Sequence, residues 1–185
     1  VMQIIKQNWN FEENVNYEEI LNKIERAGRT CYKSENKITK DSAEKFVRGI
    51  IKSGHHAVIE HHNISARVIT DRGVTHEIVR HRLVSYCQES TRYCNYSKDQ
   101  FGKEITVVLP VWFYEIDYKN IKFLTETKLG EANILNDEYL EWWDGCQKAE
   151  QSYFRLLSLG ETPQQARAVL PNSLKTEIVM TCNLR

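Results

Sequence analysis

The sequence predicts an α+β fold in which mixed helices pack on a mainly antiparallel sheet. Amphipathic helical patterns and β-branched strand patterns both occur, and they follow one another without the regular βαβ alternation of a parallel sheet. The chain of 185 residues contains only eight glycines and three prolines, which excludes collagenous, linker-like and disordered proteins. Its length suits a single domain, which we predict over residues 1–185.

The N-terminal region predicts one short strand and one capped helix. Residues 3–9 have the composition of a short strand. Residues 17–27 repeat apolar side chains at helical spacing, with Asn16 as the N-cap and two glutamates in the first turn. Gly28 is expected to end this helix.

A second helix and a strand follow. Asp41 and Glu44 form a D-x-x-E capping box at the start of the helix, and Gly54 ends it. Residues 64–70 alternate as a half-buried strand does, and the Asp-Arg-Gly sequence at 71–73 predicts a turn.

The middle of the chain predicts a helix over residues 74–82 and a strand over 105–113, interrupted at Pro110. The helix lies in the region where arginine is concentrated, since five of the eleven arginines fall between residues 67 and 92.

The C-terminal third predicts two helices and one ambiguous segment. Residues 136–159 form a long helix that ends at Gly160. Thr162 begins the next helix with a T-x-x-Q capping box, and this helix ends near Pro171. Residues 175–182 fit either a strand or an amphipathic helix, and periodicity does not separate the two.

The net charge of zero hides two opposite regions. The 25 basic and 25 acidic residues cancel over the whole chain. Residues 45–98 hold nine basic and four acidic residues, a local charge of +5, whereas residues 115–150 hold four basic and nine acidic residues, a local charge of −5. The balance therefore does not exclude polyanionic ligands.

The sequence predicts a cytoplasmic protein that does not contact a membrane. Its longest mostly apolar run, residues 105–114, is about half a bilayer span, and the N-terminus is too short and polar for a signal peptide. The five cysteines form no C-x-x-C pair, which predicts reduced thiols and argues against structural zinc.

All six histidines lie between residues 55 and 81. His76 and His81 are five residues apart, so a regular helix would place them about 140° apart, and they would not face one ion. The pairs His55–His56 and His61–His62 can still meet through a turn, which keeps a zinc hydrolase as an alternative. We expect no metal, with most of these histidines hydrogen-bonded at loop or helix ends.

Residues 80–93 predict an anion-binding segment. They hold three arginines, one histidine, two serines and a threonine, and guanidinium groups bind phosphate through two parallel hydrogen bonds. The alternative to a binding site is that these residues form a basic surface exposed to solvent, with no ligand. A nucleic-acid-binding module is the rival function, with Tyr86, Tyr93 and Tyr96 as a stacking strip.

These residues carry a resemblance to a known family. The sequence Arg80-His81-Arg82, followed by seven residues and Ser90, resembles the RHR-x7-S signature of flavin-dependent thymidylate synthases, and the Ser-Thr-Arg-Tyr run resembles that family's S-x-R-Y ending. Three further segments resemble family motifs in the same order, namely residues 54–61 (G-H-x-S/T-P-x-E-H), 164–171 (A-R-x-x-L-P) and 183–185 (N-x-R).

The resemblance implies an enzyme that methylates dUMP to dTMP. It implies FAD as cofactor, with methylenetetrahydrofolate as carbon donor and NADPH as hydride source. It also implies a homotetramer whose active sites are assembled from several subunits. The partners expected are therefore dUMP, folate, NADPH and copies of the same chain, with no nucleic acid.

The resemblance also implies two sets of binding residues. The predicted cofactor-binding residues are Ala57, Arg80, His81, Arg82, Gln88, Asn183, Leu184 and Arg185. The predicted substrate-binding residues are Glu77, Ile78, Val79, Arg80, Gln88, Glu89, Ser90, Thr91, Arg92 and Arg167. Ala57 departs from the family pattern because it lacks the hydroxyl of the usual Ser or Thr.

No catalytic residue is assigned within 1–185. A serine nucleophile needs a base within reach, and the sequence shows none near Ser90, so we expect Ser90 to be a substrate ligand. Cys87 and Cys94 are expected to be small, partly buried thiols. The family's substrate-activating arginine lies beyond Arg185, so we expect the natural chain to be longer.

Overall fold

The structure is a computed structural model, and it describes residues 2–114 and 137–185. In chain order, the helices and strands are β1 (Gln3–Ile5), β2 (Asn8–Phe11), α1 (Tyr17–Thr30), α2 (Ser42–Lys52), β3 (Asn63–Asp71), α3 (Arg72–Ile78), β4 (Val84–Gln88), β5 (Thr106–Val108), α4 (Asp137–Ser158), α5 (Pro163–Ala166) and β6 (Lys175–Asn183). The predicted α+β class is confirmed. No helix in the described ranges is long and apolar enough to cross a membrane.

The larger sheet has four strands in the order β2-β3-β6-β4 and is antiparallel. Its register shows the direction: the Ser65 and Thr181 hydroxyls lie 2.8 Å apart, while the Arg72 N–H donates to the Leu174 carbonyl at 3.1 Å. Residue numbers rise along β3 as they fall along β6, which defines an antiparallel pair. This confirms the predicted antiparallel sheet.

A second, two-stranded sheet pairs β1 with β5 in parallel, with Gln3 opposite Thr106. The predicted strand over residues 3–9 is therefore wrong in its extent. The chain makes two strands there, β1 and β2, and they belong to different sheets.

The chain divides into two compact units. The first unit comprises Val1–Asn8, Ile69–Arg80 and Gln88–Ile178, and the second comprises Trp9–Val68, His81–Cys87 and Val179–Arg185. The single domain over 1–185 stays a prediction.

The first unit has its core beside α4. Ile105 and Val107 from the β5 region, Tyr153 from α4 and Leu174 are each fully buried in one cluster. The buried Glu150 carboxylate accepts the Ile105 N–H at 3.0 Å, so a polar group inside the core has its partner.

The second unit is built on the packing of α1 against α2. Ile20, Ile24 and Val47 form its buried cluster. Fully buried Glu25 links the two helices, because one carboxylate oxygen accepts from Arg29 at 2.8 Å and the other from the Ser42 hydroxyl at 2.8 Å.

Two predictions on these helices are wrong. Gly28 does not end α1 but lies inside it, where a Cβ would stand 2.6 Å from the Phe46 ring. The Asp41 side chain makes no capping bond, and Glu44 pairs with Arg48 at 2.7 Å instead of closing a box. The Asn16 cap is confirmed by bonds from the N–H groups of residues 18 and 19.

The predicted turn at 71–73 is also wrong. The Asp71 side chain accepts the Val74 N–H at 2.7 Å and so caps α3, which begins at Arg72. The helix ends at Ile78 rather than at residue 82, and β4 follows it without having been predicted.

The remaining elements are closer to expectation. The strand predicted over 105–113 is limited to β5, and a 3-10 turn, Val111–Phe113, follows Pro110. The long helix is confirmed as α4, although predicted position 136 and residues 115–136 of the acidic region lie outside the described residues. The ambiguous segment 175–182 is a strand, β6.

Candidate functional site

The predicted substrate segment of the first unit is a tight turn at the end of β4, which we call the 88–94 turn (residues 88–94). The Glu89 N–H donates to the Glu177 carbonyl at 2.8 Å, which continues the sheet. The Ser90 carbonyl then accepts from the N–H groups of Tyr93 and Cys94 at 3.1 and 2.9 Å, which closes the turn. Ser, Thr and Arg at its centre therefore present their side chains within a short stretch of chain.

Gln88 is held by two buried hydroxyls. Its Nε2 donates to Thr75 Oγ1 at 2.9 Å and to Thr176 Oγ1 at 3.2 Å, and both threonines are fully buried. The amide is thus fixed by α3 on one side and β6 on the other.

Glu89 directs its carboxylate into the first unit. One oxygen accepts from the Tyr96 hydroxyl at 3.0 Å and the other from Lys175 Nζ at 2.8 Å. Burial, and then the Glu89 charge, raise the pKa of Tyr96 far above its ordinary value, which keeps the phenol neutral as a donor. A cavity of about 280 Å³ is lined by Glu89, Tyr96, Lys175 and residues 100–102 among others.

Two arginines from different motifs lie at the 88–94 turn. Arg167 donates to the buried Thr91 hydroxyl at 3.2 Å, so the A-R-x-x-L-P motif is brought to the predicted substrate segment. Arg92 is exposed, with its guanidinium carbon 5.4 Å from the centre of the Tyr93 ring. The Ser90 hydroxyl accepts the Arg92 N–H at 3.3 Å.

Glu77, Ile78, Val79 and Arg80 form the end of α3 and the turn after it. The Arg80 guanidinium is 2.8 Å from the Glu77 carboxylate, with side chains 74% and 72% exposed. An ion pair so exposed contributes little stability, so either group can exchange its partner for a ligand at small cost. Ile78 is partly buried and Val79 is exposed.

The second unit holds the other predicted cofactor residues. His81 and Arg82 are exposed, and Leu83, just before β4, has a left-handed φ of +62°. The His81 carbonyl accepts the Tyr86 hydroxyl at 3.1 Å. Ala57 is exposed in the 3-10 turn His56–His61.

Two of the sequence motifs meet within the second unit. The Arg185 guanidinium is 2.6 Å from the Glu60 carboxylate, so the N-x-R segment contacts the segment at 54–61. Asn183 Oδ1 accepts the Arg185 N–H at 3.0 Å, and Leu184 is exposed.

The rival functions gain no support from this geometry. Within the described ranges, no three His, Cys, Asp or Glu side chains are grouped as metal ligands. His76 lies in α3 and His81 beyond its end, so the helical-spacing argument does not apply to that pair. Tyr93 is 79% exposed but Tyr96 only 5%, so the three tyrosines do not form a continuous stacking strip.

The cysteines are free thiols. Burial, followed by the neighbouring Glu89 charge, raises the pKa of Cys94, which makes it a poor nucleophile at neutral pH. Cys87 is exposed in β4, contrary to the expectation that it would be partly buried.

Sequence reasoning missed four residues that form hydrogen bonds with the side chains of Gln88 and Glu89. They are Thr75, Tyr96, Lys175 and Thr176. Thr75 and Thr176 occupy buried positions of α3 and β6. A hydroxyl at a buried position needs a hydrogen-bond partner, and this need was the available signal in the sequence. Their shared contact with Gln88 could not be read from the sequence because the residues lie 13 and 88 positions away from it.

Comparison with known proteins finds one family that matches most of this chain. Residues 15–185 match the family model described as "Thymidylate synthase complementing protein". A flavin-dependent thymidylate synthase from Corynebacterium aurimucosum is 33% identical over 180 residues, which cover 96% of this chain and 68% of that protein. One from Mycobacterium tuberculosis is 35% identical over 165 residues, covering 88% of this chain and 62% of that protein.

A solved structure shares the fold. A UMP/dUMP methylase, PolB, from Streptomyces cacaoi, bound with 5-Br UMP, superposes with a TM-score of 0.68 at 19% identity, covering 98% of this chain and 74% of that one. This likeness supports the fold alone. The family match over residues 15–185 is the decisive finding, and by it the chain belongs to the family of flavin-dependent thymidylate synthases.

Proposed function

We propose that this protein is an FAD-dependent methyltransferase that converts dUMP to dTMP. The one-carbon unit comes from methylenetetrahydrofolate, and NADPH supplies hydride through the flavin. The relatives described above carry the name flavin-dependent thymidylate synthase, and this chain spans 68% and 62% of the length of two of them. The observation that carries the proposal is that Arg167, Thr91 and Arg92, from two separated family motifs, lie together at the 88–94 turn.

The residues at the 88–94 turn suit a nucleotide monophosphate. Arg92 is exposed, and Arg167 keeps donors beyond the one N–H given to Thr91. A guanidinium group has five N–H donors, so both side chains can bind phosphate oxygens or a uracil carbonyl. Hydrogen bonds to that carbonyl would polarise the ring and make C5 more nucleophilic without a covalent bond to the enzyme.

The second unit suits the pyrophosphate of FAD. Among the described residues, Arg82 has no ion-pair or hydrogen-bond partner, and His81 beside it is exposed. A free guanidinium and an imidazole are donors that match phosphate oxygens. Arg185 is engaged by Glu60, so it would contribute only by exchanging that partner. The flavin, when bound, supplies the hydride chemistry, and the protein positions and polarises the reactants.

The assembly and location are further parts of the proposal. We infer a homotetramer with active sites shared between subunits, and the exposure of Arg80, Arg82 and Arg92 is compatible with ligands that are also held by a second copy. We place the protein in the cytoplasm, in keeping with five free thiols.

Flavin binding tests the proposal. The protein incubated with FAD and desalted should show a flavin absorption spectrum. Arg82→Ala should weaken FAD binding by about tenfold or more, because it removes a charge-assisted contact to phosphate. Arg26→Ala, which removes an exposed arginine from α1 of the same unit, is the matched control and should leave FAD affinity unchanged. A protein that retains no flavin after this treatment would contradict the proposal.

A further inference from the structure

The Gln88 side chain lies between two hydroxyls, those of Thr75 and Thr176, that belong to none of the family motifs quoted above. Thr75 Oγ1 accepts from Gln88 Nε2 at 2.9 Å, and Thr176 Oγ1 accepts from the same nitrogen at 3.2 Å. Both threonines are 0% exposed, so water does not compete for these bonds.

The direction of these bonds follows from the number of hydrogens. The Thr75 hydroxyl donates its single hydrogen to the Arg72 carbonyl at 3.0 Å. Towards Gln88 it can therefore only accept, and the amide must present its NH₂ group. Turning the amide by 180° would set Oε1 against a lone pair of Thr75 and leave a buried hydroxyl without its donor.

The opposite end of the amide is left to act as an acceptor. Both hydrogens of Nε2 are used by the two threonines, and no described residue donates a hydrogen bond to Oε1. Gln88 is only partly buried, and it begins the 88–94 turn that carries the predicted substrate residues. A carbonyl oxygen in this place accepts a hydrogen bond from a group that presents N–H or O–H.

We propose that Thr75 and Thr176 are positioning residues that lock the Gln88 amide so that its Oε1 accepts a hydrogen bond from a donor group of the bound ligand. The inference rests on the proposed function for the identity of the ligand. Both dUMP and FAD carry ring N–H and sugar or ribityl O–H groups, so the shared chemistry is a hydrogen-bond donor, and the experiment identifies which ligand supplies it.

Thr75→Val tests whether the Thr75 hydroxyl orients the Gln88 amide, because valine has nearly the same shape but no hydroxyl. The amide then loses the bond that sets its direction, and affinity for one of the two ligands should fall about threefold to tenfold. FAD affinity is measured by flavin fluorescence and dUMP affinity by calorimetry on FAD-loaded protein. Thr75→Ser restores the hydroxyl and should recover the wild-type affinity within about twofold.

A double-mutant cycle separates positioning from a merely structural role. Gln88→Ala should weaken the same ligand, and adding Thr75→Val to Gln88→Ala should cause no further loss. An equal loss in both backgrounds, or unchanged affinity for both ligands in a folded Thr75→Val protein, would overturn the inference. Thr176→Val, which should cause a smaller loss than Thr75→Val, carries the same test if Thr75→Val does not fold.

Titrations of the unsubstituted protein distinguish a failure of the proposed function from a failure of the inference about Gln88. If the unsubstituted chain binds neither FAD nor dUMP, the proposed function fails, and this inference fails with it. If the unsubstituted chain binds either ligand and the cycle shows no coupling between Thr75 and Gln88, only the inference about the lock fails.

Discussion

The five cysteines show how the surroundings of one residue type decide its chemistry. Cys31 and Cys87 are exposed, whereas Cys146 is buried in the core of the first unit. Burial raises the pKa of Cys146 to about 11, and burial together with the Glu89 charge raises that of Cys94. The thiolate is the nucleophile, so both groups are mostly protonated at neutral pH.

The rate of alkylation should be highest for the exposed cysteines and lowest for the buried one. Iodoacetamide at pH 8 should modify Cys31 and Cys87 first, Cys94 several-fold more slowly, and Cys146 only when the protein unfolds. Peptide mass mapping over time measures the rates. Glu89→Gln should speed the labelling of Cys94, because it removes a negative charge that disfavours the thiolate, and should leave Cys31 unchanged. Labelling of Cys94 as fast as Cys87 in the wild type would contradict the assignment.

At the scale of elements, the packing of α1 against α2 depends on one glycine. Gly28 lies within α1, and an added Cβ would stand 2.6 Å from the Phe46 ring and 2.9 Å from Val58. Gly49 lies within α2 with nothing within 4 Å of its added Cβ. The two positions thus share a helical backbone and differ in the space available.

The glycines give a matched pair of substitutions. Gly28→Ala should destabilise the protein by about 1–2 kcal/mol, because overpacking against Phe46 outweighs the gain in helix propensity. Gly49→Ala should stabilise it by about 0.5–1 kcal/mol, since only the propensity gain remains. Urea unfolding measures both free energies. Equal effects of the two substitutions would contradict overpacking at position 28.

The correct predictions of caps and helix ends rest on contacts between near neighbours, although the local capping box at Asp41 and Glu44 was wrong. The Asn16 cap and the left-handed Gly160, with a φ of +98°, were predicted because each involves only near neighbours in the chain. The stop at Gly28 was wrong, and a distant side chain packs against this glycine inside α1. The turn at 71–73 was wrong because the Asp71 side chain caps α3, and distant carbonyls accept the next N–H. Phe46 fills the space at Gly28, and Arg72 N–H pairs with the carbonyls of Asn172 and Leu174.

At the scale of the whole molecule, a buried thiol and buried phenols that stay protonated make the free energy of unfolding fall at alkaline pH. The pKa of Cys146 is raised by burial from 9.0 to about 11. A group with a raised pKa in the folded state contributes stability that is complete below its unfolded value. That contribution is lost as the pH rises through the folded value, so the relevant window runs from about pH 9 to 11. Burial raises the pKa values of Tyr96 and Tyr139 in the same direction, which adds to the loss at higher pH.

The free energy of unfolding should therefore fall between pH 9 and 11, with Cys146 accounting for about 2–3 kcal/mol. Urea unfolding at several pH values measures the slope. Cys146→Ala should flatten it, whatever its effect on stability at pH 7. Cys31→Ala, which removes an exposed thiol, should keep the wild-type slope. Identical slopes for the two variants would show that Cys146 does not titrate as described.

The sequence by itself determined the fold class, the long helix and the residues of the predicted anion-binding segment. These depend on composition, on periodicity within one element and on the order of motifs along the chain. The candidate site residues were therefore named before their geometry was known.

Only the tertiary structure decided which of those residues meet and how they are oriented. Arg167 reaches Thr91 across 76 positions, and Thr176 reaches Gln88 across 88. Such contacts arise from strand order and register, and neither is encoded in a local pattern. The direction of the Gln88 amide depends further on which hydroxyl has already donated its hydrogen, and this is a property of three elements packed together.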